Sequence, residues 1–216
     1  MLVKQYDQIA DEGIADAINS GEHLLYEVLV RRYNPYLYKI GRSYGFNHED
    51  TEDLMQDSFI SAYNHLKQFQ NKASLKTWMC RIMLNKCYHK TQKLSYQKEI
   101  SDEMGSDKQE RAIFQNQRPM EKQLFNRELG KILELALQRI PESYRMVFTL
   151  RELNGLSTIE TADTLSITQS NVKIRFSRAK KLLQKEVEKS YSSEDIFEFN
   201  LIFCDPMVER VMNEIK

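Results

Sequence analysis

Ser157-Thr158-Ile159-Glu160-Thr161-Ala162-Asp163-Thr164-Leu165-Ser166-Ile167-Thr168-Gln169-Ser170-Asn171-Val172-Lys173-Ile174-Arg175-Phe176-Ser177-Arg178-Ala179-Lys180-Lys181 is the stretch that decides how the chain reads. Ser157 with Glu160 three residues on is a capping box, so a helix opens there. Ile159, Ala162 and Leu165 predict a short helix with those three side chains inside. Ser166-Ile167-Thr168 makes a tight turn. Val172, Phe176, Ala179 and Leu183 then recur at spacings of four, three and four, which gives a second helix its dry side. Its other side presents Ser170, Ile174, Ser177, Arg178 and Lys181, with Lys173 and Arg175 on the flanks.

From Thr168 to Lys185 there are six Lys or Arg and no acid. An acid-free helix with a dry back can lie in a major groove. Its Arg and Lys neutralise phosphates or pair with guanine edges, and its small polar residues allow close approach. A solvated basic face on a helical hairpin would show the same single helix. The capping box, the three-residue turn and the small Ala162 at the helix crossing favour DNA binding.

Working outward, this hairpin belongs to a block from Gln123 to Lys189. Leu129, Ile132, Leu133, Ala136, Leu137 and Ile140 form an apolar stripe, and Pro141 suits a helix start carrying Tyr144, Val147, Phe148 and Leu150. Upstream, a block from Gly21 to Gln92 carries Leu24, Leu25, Val28 and Leu29 at helical spacing, continued by Tyr36, Leu37 and Ile40. Gly45 punctuates it, and Asn47 is a predicted N-cap followed by Glu49 and Asp50. Leu54, Met55, Phe59 and Ala62 share a face of the next helix, Gln70 to Ser74 interrupts, and Trp78, Ile82 and Met83 mark another. Residues 93–122 read as a flexible polar linker, with transient helix near Ala112 to Phe114. Residues 1–20 form an N-terminal segment. The extension 190–216 is apolar at Ile196, Phe197, Phe199, Leu201, Ile202 and Phe203, and predicts a helix through Met207, Val208, Val211, Met212 and Ile215 after Asp205-Pro206. It is expected to pack on the second block or to offer a hydrophobic surface to a regulator or a larger partner. With 7 Gly and 4 Pro in 216 residues and no period-two segment, the expected fold class is all-α: two small helical domains.

Apolar residues at 41% and charged residues at 29% exclude a largely disordered chain. No apolar run is long enough to span a bilayer, and residues Met1 to Asp11 have no basic flank leading into an apolar stretch, so a cytoplasmic location is expected. Cys80, Cys87 and Cys204 form no CxxC pair and read as reduced thiols packing like small apolar residues. No metal, cofactor or catalytic residue is expected. The formal net charge is +0, yet charge is sorted: five acids and no Lys or Arg from Asn47 to Ser58, then seven Lys or Arg and no acid from Lys72 to Lys98. Asp53, Gln56 and Asp57 share one helical side. Without a nearby nucleophile or metal ligand, they read either as a solvated acidic face or as a docking surface for a basic partner.

Two motif sets carry a family resemblance. Ile140-Pro141, Arg145, Val147-Phe148, Leu150, Gly155-Leu156-Ser157, Glu160-Thr161-Ala162, Leu165, Val172-Lys173, Arg175, Arg178-Ala179 and Leu182 resemble region 4 of bacterial sigma factors. Asp53-Leu54-Met55-Gln56-Asp57, Phe59, Ala62, Phe69, Ser74-Leu75-Lys76-Thr77-Trp78-Met79, Arg81-Ile82 and Asn85 are similar to regions 2.2 to 2.4. The two-domain economy resembles the extracytoplasmic-function (ECF) group.

The resemblance implies a subunit that binds core RNA polymerase and directs promoter-specific initiation. Asp53, Gln56 and Asp57 would dock on the β′ clamp helices, and region 4 would contact the β flap. Ser170, Lys173, Ile174, Arg175, Ser177, Arg178 and Lys181 would meet the minus-thirty-five element. Phe69, Asn71, Lys72, Ala73 and Asn85 would capture a base flipped from the minus-ten element, with Lys86, His89 and Lys90 on the backbone. An anti-sigma factor is a further implied partner, and membrane insertion is not implied. Ile174 is apolar where many relatives carry a small polar residue, and Asn71 stands where relatives often carry Gly. Two rivals are a dimeric helix-turn-helix regulator, which leaves the acidic helix without a task, and a carboxylate-based metal hydrolase, for which His residues are too few.

Overall fold

The computed structural model describes residues 9–102 and 121–189 with positions 207, 208, 210–212 and 214; the side chains described are those of 9–95, 130–189 and the same six positions. Every regular element among the described residues is helical. The first element among the described residues is a helix the sequence reading left out, α1 (Asp11–Asn19), which buries Ile14, Ala15 and Ile18. Its Asp11 carboxylate accepts from the Arg32 guanidinium and the Tyr33 hydroxyl, fastening it to the next helix.

That helix, α2 (Tyr26–Tyr44), runs through Pro35 and buries Val28, Leu29, Tyr33, Leu37 and Ile40. It stops at Gly45, whose φ of 90° is accessible to glycine without a Cβ clash. The N–H groups of Gly45 and Phe46 return to the carbonyls of Arg42 and Gly41. Next, α3 (His48–His65) is capped as expected: the Asn47 side chain accepts from the Asp50 N–H at 2.7 Å. After a turn at Leu66–Gln68 and a loop, α4 (Leu75–Asp102) completes the first half. A Cβ on Gly41 would come within 2.6 Å of Thr51 Cγ2 and 3.0 Å of Met83 Cε, so α2, α3 and α4 approach closely there only because the residue is glycine. Cys80 and Cys87 lie fully buried in this core, and burial pushes each thiol up to about 12.

The second half consists of α5 (Glu121–Arg139), α6 (Glu142–Phe148), a π-helical turn (Thr149–Leu153), α7 (Thr158–Leu165) and α8 (Gln169–Glu188). Val147, Ala162 and Val172 form its small core, with Leu165, Ile167 and Phe176 against it.

The two halves also pack on each other. Met146, Leu150 and Leu156 belong to the same buried cluster as α1 to α4. Ser43 and Thr149 hydroxyls meet at 2.8 Å, Asn154 Nδ2 donates to the Tyr36 carbonyl at 3.2 Å, and Lys39 Nζ donates to the Leu153 carbonyl at 2.8 Å. Buried Arg145 donates to the Ser43 carbonyl and, from the same guanidinium, to the Gln138 and Ile140 carbonyls at the end of α5.

Several expectations change. Leu24 is 82% exposed, because it sits in the turn at His23–Leu25 ahead of α2 and out of phase with its buried face. Ile159 is 64% exposed, since α7 is held between α8 and α4 and buries Thr161, Ala162 and Thr164 instead. Leu133 is also exposed, whereas Ala136 and Ile140 are buried. Helix α4 continues past Gln92 to Asp102. The side chain of Leu129, the remaining linker with Ala112 to Phe114, and Phe197, Cys204 and Ile215 of the extension lie outside the described residues. Met207, Val208, Val211 and Met212 are helical and half-exposed.

Candidate nucleic-acid interface

The hairpin at α7 and α8 is built by its caps. The Ser157 hydroxyl accepts from the Glu160 N–H at 3.1 Å, and the Glu160 carboxylate accepts from the Ser157 N–H at 2.8 Å, completing the box. Ser166 ends α7 in the left-handed region with φ 53°, which turns the chain in three residues. Thr168 then caps α8, its hydroxyl accepting from the Asn171 N–H at 3.2 Å. Val172 and Ala179 are buried, and Phe176 is half-buried with its ring stacked against Phe148. The opposite face is open: Ser170, Lys173, Ile174, Ser177, Arg178 and Lys181 are all exposed. Arg175 is half-buried because its Nε donates to Asn171 Oδ1 at 2.9 Å, and Arg178 reaches the Tyr144 hydroxyl at 3.3 Å. Asn171 and Tyr144 thus hold two of the cations in place, and neither carries a sequence signal of its own.

The second cluster is formed where α3 ends and α4 begins. Phe69 leaves the turn at Leu66–Gln68 in extended backbone and packs its ring against Trp78, centroids 5.2 Å apart. Trp78 is half-buried against the core, as its spacing with Ile82 predicted. Asn71 adopts φ 53°, a left-handed geometry that Asn tolerates better than most residues. Asn71 and Lys72 are exposed at the loop tip and Ala73 is half-buried. Ser74 then caps α4, accepting from the Thr77 N–H at 3.2 Å. Asn85 and His89 are exposed further along α4, Lys86 is half-buried, and Lys90 is drawn to the Asp50 carboxylate at 2.5 Å. Lys90 therefore points toward α3 rather than standing free for a phosphate. Ser74, Thr77, Arg81 and Asn85 share one face of α4 by their spacing.

The third cluster lies on α3, where Asp53, Gln56 and Asp57 are exposed together. Beside them runs a groove of about 640 Å³ between α2 and α3, lined among others by Tyr26, Met55, Gln56, Phe59, Ile60 and Tyr63. The sequence reading marked the acids and missed the groove, although Ile60 and Tyr63 lie on the exposed side of the same helix. Among the described residues no group of three or more His, Cys, Asp or Glu could hold a metal ion, and no helix is long and apolar enough to cross a membrane.

Comparison with known proteins agrees with this layout. The Sigma-70 region 2 family model matches residues 29–95 and the Sigma-70 region 4 model matches residues 130–183. The ECF RNA polymerase sigma-E factor of Haemophilus influenzae is 24% identical over 185 residues, covering 84% of this chain and 97% of that protein. The sigma-E factor of Escherichia coli K12 is 28% identical over 186 residues, covering 84% and 96%. Among solved structures, CnrH in complex with the cytosolic domain of CnrY aligns with a TM-score of 0.61 at 23% identity, covering 84% of this chain and 99% of that one. The sigma factor RpoE of Bartonella quintana, in complex with the anti-sigma factor NepR, aligns at 0.57 and 25% identity over 71% and 91%. Region 2 precedes region 4 along the chain, the sigma-E relatives are matched over 96–97% of their own length, and the chain belongs to the ECF-type sigma factors of the sigma-70 family.

Proposed function

We propose that this chain binds core RNA polymerase and directs it to a set of promoters, with each of the three clusters given one task. The face of α8 with Ser170, Lys173, Ile174, Arg175, Ser177, Arg178 and Lys181 reads the upstream element. The region from Phe69 to Asn85 holds an unstacked base of the downstream element, aided by Lys86 and His89 on the strand backbone. Asp53, Gln56 and Asp57 dock the polymerase β′ clamp helices, and region 4 contacts the β flap. The observation that carries the reading is the α8 face, basic and acid-free, open along one side and fixed to its own core along the other.

In this reading the chain is a specificity subunit, not a catalyst, and needs no cofactor. It works in the cytoplasm, where the genome is. An anti-sigma factor is a fitting regulator, because the structurally similar RpoE of Bartonella quintana was captured in complex with the anti-sigma factor NepR. The discriminating experiment is a footprint of the reconstituted holoenzyme. A Lys173→Ala/Arg178→Ala variant should lose protection of the upstream element and still copurify with core polymerase. Protection that survives the double substitution would remove α8 from the reading.

A further inference from the structure

Ile174 is 52% exposed, the one large apolar side chain that α8 leaves in the open among the described residues. It lies in the second turn of that helix, within the N-terminal part that reaches base edges in a helix-turn-helix. Its neighbours on the same face are Ser170 one turn before and Ser177 and Arg178 one turn after, all exposed. The two serines are too short to shield it, and they let the helix come close to whatever it lies against. Asn171 and Tyr144 hold Arg175 and Arg178, at 2.9 Å and 3.3 Å, so two cations around the isoleucine are already placed. A single exposed isoleucine on an ordinary solvated surface is unremarked. On a surface that gives up its water to base pairs it has a consequence, because a branched alkyl group neither donates nor accepts.

Base edges in the major groove are mostly nitrogen and oxygen, and their one apolar group is the thymine 5-methyl. Pressed against a guanine oxygen or a cytosine or adenine amino group, the isoleucine would strip away water and return no hydrogen bond. Pressed against thymine, it meets carbon with carbon. We propose that Ile174 is a specificity-determining residue that reads one thymine of the upstream element, on either strand, by its 5-methyl group. This deepens the reading of α8 given above, on which it rests, by naming the base and the atom. Charge cannot supply the same selection. Lys173 and Lys181 attract any phosphate chain, and an arginine such as Arg178 favours guanine. A methyl contact separates thymine from cytosine, its pyrimidine rival, and from uracil, which carries every hydrogen-bonding atom of thymine.

Deoxyuridine tests this, since it removes the methyl and keeps the pairing. The probe is a library of duplexes in which the upstream part of a promoter, mapped by run-off on fragmented genomic DNA, is randomised. Holoenzyme assembled with host core polymerase selects from the library, and the bound duplexes are sequenced. The unmodified chain should show a thymine preference at one position that Ile174→Ser relaxes and Arg178→Ala leaves in place. On the selected duplex, deoxyuridine at that position should weaken holoenzyme binding about fourfold, the equivalent of roughly 0.8 kcal/mol for one buried methyl. With the Ile174→Ser chain the same replacement should leave binding nearly unchanged.

Equal binding of the thymine and deoxyuridine duplexes by the unmodified chain would overturn the proposal. So would an undiminished sensitivity in the Ile174→Ser chain, which would set the methyl against another residue. If Ile174→Ser alters no base preference while Arg178→Ala does, the isoleucine faces a protein partner or solvent. The proposal then falls and α8 keeps its role. If neither substitution alters any preference, the reading of α8 itself fails, and the two failures are told apart. Ile174 has no part in the hairpin core of Val147, Ala162 and Val172, so unchanged thermal unfolding of Ile174→Ser is expected beside the lost preference.

Discussion

Replacing Arg145 with methionine keeps most of the aliphatic volume and deletes the guanidinium where α5 turns into α6. That guanidinium donates to the Gln138 carbonyl at 2.8 Å and the Ile140 carbonyl at 3.1 Å, and its Nε donates across the seam to the Ser43 carbonyl. Two of these acceptors belong to the end of α5, whose last carbonyls have no partner within the helix. A hydrogen bond from a charged donor contributes roughly 1.5–3 kcal/mol, and a buried group left unpaired costs roughly 1–3 kcal/mol. One side chain serves these acceptors together, so the losses overlap, and the seam can admit water. A net loss of about 3–4 kcal/mol is therefore expected for Arg145→Met. For a chain of this size each kcal/mol moves Tm by roughly 2–4 °C, giving a fall of about 6–16 °C. Thermal and urea unfolding followed by circular dichroism at 222 nm would measure it, with Arg145→Lys intermediate because an ammonium cannot span the same fork. A loss below about 1 kcal/mol, the size of an ordinary surface change, would show that the guanidinium does not organise this junction.

Further outcomes follow from the same geometry. Partial burial works to raise the Glu160 carboxyl, but the Ser157 N–H and hydroxyl, with Thr77 and Ser74, outweigh it and hold the acid at about 2 against an ordinary 4.5. A lowered folded-state pKa means that this contribution is complete above 4.5 and is lost as pH falls toward 2. Glu160→Gln should therefore flatten the acid limb of a stability profile in that window, and an unchanged limb would contradict the assignment. At Asn71, whose φ is 53°, Asn71→Val should cost about 1–2 kcal/mol in urea unfolding, and Asn71→Gly should be neutral or better. Charge reversal at Asp53 and Asp57, both exposed, should leave Tm nearly unchanged and abolish copurification with core polymerase. Retained copurification would return those acids to a solvated face.

The parts of this molecule legible in its sequence were those governed by local rules. Asn47 and Ser157 cap helices because a short polar side chain ahead of a helix has few other uses there, and Val172 and Ala179 back the basic face because helical spacing leaves them no alternative. The exposed basic residues of α8 follow from the same period. What stayed hidden was long-range. Ser43 and Thr149 meet across more than a hundred residues, and buried serine, threonine and asparagine leave no periodic trace. Ile159 fits an inward spacing on α7, but the covering of that helix by α4 turned its buried side toward Thr161 and Thr164. Helix α1 is brief and carries only Ile14, Ala15 and Ile18 as a stripe, too little to stand out before α2 is seen to receive it. Lys90 reads as a phosphate contact until Asp50 is found beside it.

Run-off transcription with purified chain and cognate core polymerase is the most direct measurement. Discrete initiation sites should appear only when the chain is present, with permanganate-reactive thymines marking melted DNA just upstream of each start, and Lys173→Ala/Arg178→Ala should silence them. Initiation indistinguishable from that of core polymerase alone would contradict the account.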